Sequence, residues 1–123
     1  MKNVIVLGAS SDRAKYSNQA VRAFLRAGYR VFPVNLREVH IEECACFPSV
    51  ASIPERPQIV SVYLPPAKVL ALLPEIALKG CDELWLNPGT VSSEVLRRAE
   101  ALKLTVVQTC SIIAVGGRPV HPE

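Results

Sequence analysis

Aromatic residues are scarce in this chain of 123 residues, which holds one Trp, three Tyr and three Phe. A surface that stacks single-stranded bases needs aromatics interleaved with a concentrated basic stripe. Here the basic residues are scattered and the formal charge is only +3. Arg22 and Arg26 stand one helical turn apart, and Arg97 and Arg98 fall on a later helix, so these cations read as solvated helix faces. No nucleic-acid partner is expected. Long apolar runs are also missing: nothing approaches the ~20 residues that a membrane span requires. Met1-Lys2-Asn3 leads directly into an apolar strand instead of a signal peptide. The expectation is a cytoplasmic protein with no membrane partner.

Histidine is rare and paired cysteine is absent. The two histidines, His40 and His121, are not placed beside a nucleophile and an orienting carboxylate, so no catalytic triad is assigned. Cys44, Cys46, Cys81 and Cys110 form neither a Cys-x-x-Cys pair nor a cluster with histidines. That excludes a zinc site and reads as four reduced thiols. Half of the residues are hydrophobic, which suits one compact domain over 1–123, with 116–123 expected to fray.

What is present starts at Val4. The run Val4-Ile5-Val6-Leu7 breaks into Gly8-Ala9-Ser10, as a buried parallel strand breaks into a phosphate-binding turn. Gly8 allows close backbone approach. Ser17 precedes a helical pattern and is placed to cap it, so Ser10, Ser11 and Ser17 read as phosphate-facing.

Beyond that loop, Ala20, Val21, Phe24 and Leu25 give one apolar stripe on a helix from Ser17 to Ala27, stopped by Gly28. Strands follow at Arg30–Val34, Ile59–Leu64, Glu83–Leu86 and Leu104–Val107. Helices are expected after Pro65-Pro66, with Pro74 placed to kink the first, and from Ser92 to Leu102, capped by Ser92 or Thr90. The segment from Leu36 to Gln58 has weak periodicity and three prolines, and reads as loop with one short turn near Ser49–Ser52. Strands alternating with helices predict an α/β, Rossmann-like fold: five strands, mainly parallel, in the order 3-2-1-4-5 with helices on both faces. Ligands of such sheets bind beyond the carboxyl ends of the strands, here at the switch between strands one and four.

The dinucleotide fingerprint is incomplete. Ser10 stands at the second glycine position, and the second strand ends in Asn35 and Arg37 where a ribose-binding carboxylate would stand. A cation there suits a phosphorylated ribose, either of NADP or of coenzyme A.

These residues resemble the small CoA-binding-domain proteins, related to the N-terminal domain of the succinyl-CoA synthetase alpha subunit. The resemblance is carried by Gly8-Ala9-Ser10 with Ser17, and by the block from Gly28 to Asn35. Phe47-Pro48-Ser49-Val50 with Ile53-Pro54, and Leu84-Trp85-Leu86-Asn87-Pro88-Gly89, also carry it. The chain departs from many relatives at Leu36, where they have Pro, at Asn87, where they have Gln, and at Gln108-Thr109, where they have Asp-Arg.

The resemblance implies that Gly8, Ala9, Ser10 and Ser11 cradle the pyrophosphate of coenzyme A, with Arg13 and Lys15 neutralising its charge. It implies that Asn35 and Arg37 meet the ribose and its 3′-phosphate, that Leu64, Pro65 and Pro66 wall the adenine, and that Asn87, Pro88, Gly89 and Thr90 line the pantetheine side. The expected function is non-catalytic binding of coenzyme A or an acyl-CoA. The alternatives are a small NADP-linked oxidoreductase, or a thiol-regulated CoA sensor acting through Cys110. The ligase activity of the synthetase is not expected, because its phosphohistidine lies on a second domain. The apolar segment Ile112–Val115 leaves a homodimer open.

Overall fold

Alternation along the first strand sets the architecture. In the computed structural model, which describes residues 2–122, β1 (Asn3–Leu7) sends Val4 and Val6 to one face and Ile5 and Leu7 to the other. All four are buried. A strand apolar on both faces belongs inside a parallel sheet covered by helices. The chain continues through α1 (Tyr16–Arg26), β2 (Arg30–Val34), β3 (His40–Ile41), β4 (Cys44–Ala45), β5 (Ile59–Val62) and α2 (Pro66–Lys79). It ends with β6 (Glu83–Leu86), α3 (Ser93–Ala101), β7 (Val106–Gln108) and α4 (Ser111–Ala114).

The main sheet has five parallel strands in the order β2-β1-β5-β6-β7. The expected α/β fold with helices on both faces is present, but the order 3-2-1-4-5 is not. The third strand of the sheet, β5, lies against β1 and not against β2. The reason is on the outer edge of β2. Phe47 N–H donates to the Pro33 carbonyl at 2.9 Å, and its carbonyl accepts from Asn35 N–H at 3.0 Å, so the segment after β4 already covers that edge. Pro33 is tolerated within β2 because its carbonyl, and hence its missing N–H, faces this outer side and takes nothing from the ladder with β1. The order 2-1-3-4-5 moves the topological switch point to the crevice between β1 and β5.

One face is covered by α1 and α4, where Val4, Val6, Ala20, Phe24, Val31 and Ile112 pack together. On the other face α2 and α3 bring Val69, Leu73, Ile76, Val95 and Ala99 against Ile5, Leu7, Val60, Val62, Leu84 and Leu86. Burying one such Leu or Ile contributes about 1.5–3 kcal/mol, so the two clusters account for the sheet's placement. Pro74 sits in α2 without interrupting its span.

Several boundaries differ from those expected. Helix α1 begins at Tyr16 with Lys15 at its N-cap, so Ser17 is a buried second helical residue and not a cap. The turn before it is organised by Asp12, whose carboxylate accepts from Ala14 N–H. Ser92 caps α3 by accepting from Val95 N–H, while Thr90 donates to the Asn87 carbonyl. The segment after β2 contains the β3–β4 hairpin, whose Glu42 and Glu43 both take positive φ. In the tail, Gly117 N–H donates to the Ile112 carbonyl, and the Gln19 side chain pairs with both backbone groups of Val120. Glu123 lies outside the described residues. Within Ile112–Val115, Ile112 is buried against α1, while Ile113 and Ala114 are exposed and Val115 is half-buried.

Candidate functional site

The carboxyl ends of β1, β2 and β5 open into a cleft of about 800 Å³, within the range of roughly 300–1,000 Å³ usual for cofactor sites. Its floor is Leu7, Gly8, Ala9, Val34 and Val50, and its walls come from Ser10, Leu36, Pro48, Leu64 and Leu72. Gly8 lies at the switch point with φ of 88°, and its missing side chain makes room for the chain itself: a Cβ there would stand 2.5 Å from the Tyr63 carbonyl. The glycine lets β1 and β5 converge where their exits diverge.

Among the described residues, three cations, Lys15, Arg37 and Lys68, line the cleft against a single carboxylate, Glu75. None of the three makes a salt bridge among the described residues. The backbone N–H groups of Ser10, Tyr16 and Ser17 have no partner among the described residues, and the latter two belong to the first turn of α1, where anions are favoured. The geometry is that of an anion site with apolar walls.

Not every residue expected here reaches it. The N–H groups of Gly8 and Ala9 both donate to the Val34 carbonyl, at 3.2 and 3.1 Å, and so do not form a free cradle. Ser11 turns away from the cleft, its N–H held at 3.0 Å by the Glu38 carboxylate. Arg13 pairs with Glu42 at 3.2 Å on the far side of the loop. An exposed pair of this kind contributes less than about 1 kcal/mol, yet it fixes the direction of the guanidinium. Asn35 lines the cleft, but its Nδ2 donates to the Ala9 carbonyl and its Oδ1 accepts from the N–H groups of Arg37 and Glu38. It ties the two loops together.

Asn87 is buried and its side chain is used internally. Its Nδ2 donates to Ser61 Oγ and the Val62 carbonyl, and its Oδ1 accepts from Ser111 N–H at 2.8 Å. Pro88, Gly89 and Thr90 line a separate shallow cavity with Tyr63, Leu64 and Pro65, about 270 Å³ in volume. Pro66 lines neither cavity and serves as the first residue of α2, where a missing N–H costs nothing. Cys110 stands outside both cavities.

Lys68 was not apparent as a site residue, although one signal was present. It lies in the first turn of α2, where the helix dipole disfavours a cation, and no acidic residue accompanies it. Tyr63 lies between the two cavities, and its hydroxyl is buried without a hydrogen-bond partner among the described residues. Burial pushes its phenol well above the ordinary range, with the nearby Cys110 adding to the shift; the nearby Ser61 and Ser111 hydroxyls hydrogen-bond each other instead. Such a phenol is a poor proton donor. Removing the unpartnered hydroxyl in Tyr63→Phe is expected to stabilise the protein by about 1 kcal/mol, a rise of roughly 4 °C in melting temperature. A fall in a thermal denaturation scan contradicts this reading of the hydroxyl.

Among the thiols, burial pushes Cys81 up to about 11, with Arg56 opposing and Asp82 reinforcing. The neutral thiol is therefore favoured by folding. Its contribution is complete below the ordinary value of 9.0 and is lost as pH rises through the folded value. In Cys81→Ala the decline of stability between those two values is expected to be shallower than in the parent. Denaturant midpoints measured across that window provide the check, and identical declines contradict the assignment.

Among the described residues no helix is long and apolar enough to cross a membrane, and no group of three metal-ligating side chains converges. Comparison with solved structures places the fold in known company. A conserved hypothetical protein from Pyrococcus furiosus aligns with a TM-score of 0.83 at 28% identity, covering 92% of this chain and 99% of that one. A Thermus thermophilus protein aligns at 0.81 and 28% identity, covering 86% and 81%. A dinucleotide-forming acetyl-coenzyme A synthetase from Ca. Korarchaeum cryptofilum shares the fold at 0.75 and 23% identity, over 89% of this chain and 26% of that one. No curated protein sequence matches. Residues 2–116 match the family described as CoA binding domain, and with the cleft at the switch point this shows that the chain belongs to the CoA-binding domain family.

Proposed function

We propose that the chain binds coenzyme A or an acyl-CoA in the cleft between β1, β2 and β5 without catalysing a reaction of its own. The observation that carries this reading is the convergence of Lys15, Arg37 and Lys68, none of them salt-bridged, on apolar walls and the open N-terminus of α1. A ligand with several phosphates and a long apolar arm meets both requirements. Lys15, Ser10 and Ser17 are suited to the pyrophosphate, Arg37 to the 3′-phosphate through its planar fork, and Leu36, Leu64 and Leu72 to apolar contact. The thiol or acyl end of the ligand supplies the chemistry of acyl transfer when another protein acts on it.

No observation in the cleft specifically favours the oxidoreductase alternative. Calorimetric titration with coenzyme A, acetyl-CoA, dephospho-CoA and NADP tests the proposal. Coenzyme A is expected to bind about tenfold more tightly than dephospho-CoA, as one charge-assisted contact is worth roughly 1.4 kcal/mol or more. Arg37→Ala is expected to abolish the difference. Binding of NADP alone, or of none of the four, overturns the proposal.

A further inference from the structure

A second concavity lies on the opposite side of the β1–α1 loop, between α1 and the C-terminal tail, with a volume of about 540 Å³. We propose that it is a separate anion site for a small oligophosphate group. Arg13, Arg22, Arg26, Arg118 and His121 line it, and among the described residues no carboxylate does. It shares no lining residue with the cleft.

The pocket is built into the fold. Gln19 donates from Nε2 to the Val120 carbonyl at 2.7 Å and accepts Val120 N–H on Oε1 at 2.8 Å, fastening the tail to α1 across 101 positions of sequence. This contact brings Arg118 and His121 opposite the arginines of α1. Arg22 is held in place by donating to Asn18 Oδ1 and to the Arg13 carbonyl. Glu42 meets Arg13, but Arg22, Arg26 and Arg118 make no salt bridge among the described residues.

Holding several cations around one concavity is unfavourable until an anion enters. Guanidinium groups arriving from a loop, a helix and a tail match an anion with several oxygens spread over several positions, as in a chain of phosphates. The cations are gathered at one concavity, and this favours a small anion over a nucleic-acid strand, which needs a continuous basic track. Inorganic tripolyphosphate and ATP share this chemistry, and comparing them distinguishes a free oligophosphate from one carried on a nucleoside.

The experiment is equilibrium binding of inorganic tripolyphosphate and of ATP to the full chain at low salt, carried out on Lys15→Ala/Lys68→Ala to weaken the cleft as a competitor. Saturable binding with one equivalent is expected, weakening as salt is added. Adding Arg118→Ala, or Arg22→Ala with Arg118→Ala, is expected to weaken it at least about tenfold. Gln19→Leu keeps every cation and releases the tail, so it is expected to weaken binding as well. Circular dichroism confirms that each variant is folded, and the exposed Arg118→Ala keeps the test valid if Arg22→Ala is not. Equal affinity for the two probes identifies the phosphates alone as the ligand, and tighter ATP binding identifies a nucleoside carrier. Absence of saturable binding of either probe, or affinity unchanged in Arg118→Ala and Gln19→Leu, overturns the proposal. Coenzyme A binding by the parent chain is a separate measurement, so either proposal can fail alone.

Discussion

Replacing Lys15 and Lys68 together by alanine is expected to weaken coenzyme A binding about 100-fold, with each contributing roughly 1.4 kcal/mol at low salt. Both line the cleft, and neither makes a salt bridge among the described residues. Neither supports the fold through a pairing that its loss would break, so melting of the free protein should shift by only a few degrees. Because the two ammonium groups are exposed, the loss should shrink as salt is raised and the field of each is screened. Glu75→Gln provides the opposite sign: removing the only carboxylate that lines the cleft among the described residues is expected to tighten binding. Calorimetry on the parent and both variants at two salt concentrations decides the matter. Unchanged affinity in the double variant places the phosphates elsewhere.

Gly8→Ala is expected to be the most destabilising single substitution considered, at about 3–4 kcal/mol. Two separate costs meet there. The φ of 88° disfavours any residue with a Cβ, and the added carbon would lie 2.5 Å from a backbone oxygen of the neighbouring strand exit and 2.9 Å from the Leu64 side chain. Gly28 has a φ of 89° with nothing within 4 Å of the same position, so Gly28→Ala incurs only the first cost, about 1 kcal/mol. The difference between the two variants therefore measures the packing at the switch point. In melting temperature it should amount to roughly 10 °C. Equal shifts show that β1 and β5 separate easily, and that the close approach is not needed for stability.

The strands and helices were legible where burial alone decides. Arg30–Val34 and Glu83–Leu86 were read to the residue, because each is a short apolar run between a glycine or polar stop and a polar exit. Strand order was not legible, since it depends on Phe47 reaching the edge of β2 through backbone hydrogen bonds that any residue there could make. The site was legible as a place more than as a set of contacts. Gly8, Ser10, Lys15, Ser17, Asn35, Arg37 and Leu64 were expected at the cleft and lie there. Ser11, Arg13 and Asn87 were expected to meet the ligand and do not line the cleft, because groups distant in sequence claim their polar atoms: carboxylates hold Ser11 and Arg13, and the Val62 carbonyl and Ser111 N–H hold Asn87. Lys68 and Glu75 were missed because a helix face shows its period in sequence but not which neighbour it meets.

The central position of β1 also governs how the chain emerges from the ribosome. Its two sides are completed by β2 and by β5, and the contact between Asn3 and Gln58 beside β5 spans 55 positions. At about 5–20 residues per second, an interval of roughly 3–11 s separates synthesis of the first strand from that of its last partner. Until β5 is made, Val4 to Leu7 form an apolar segment with at least one unpaired edge, the kind that aggregates. Nascent chains stalled before Ile59 should therefore recruit chaperones, whereas those stalled well beyond Leu86 should already resist proteolysis.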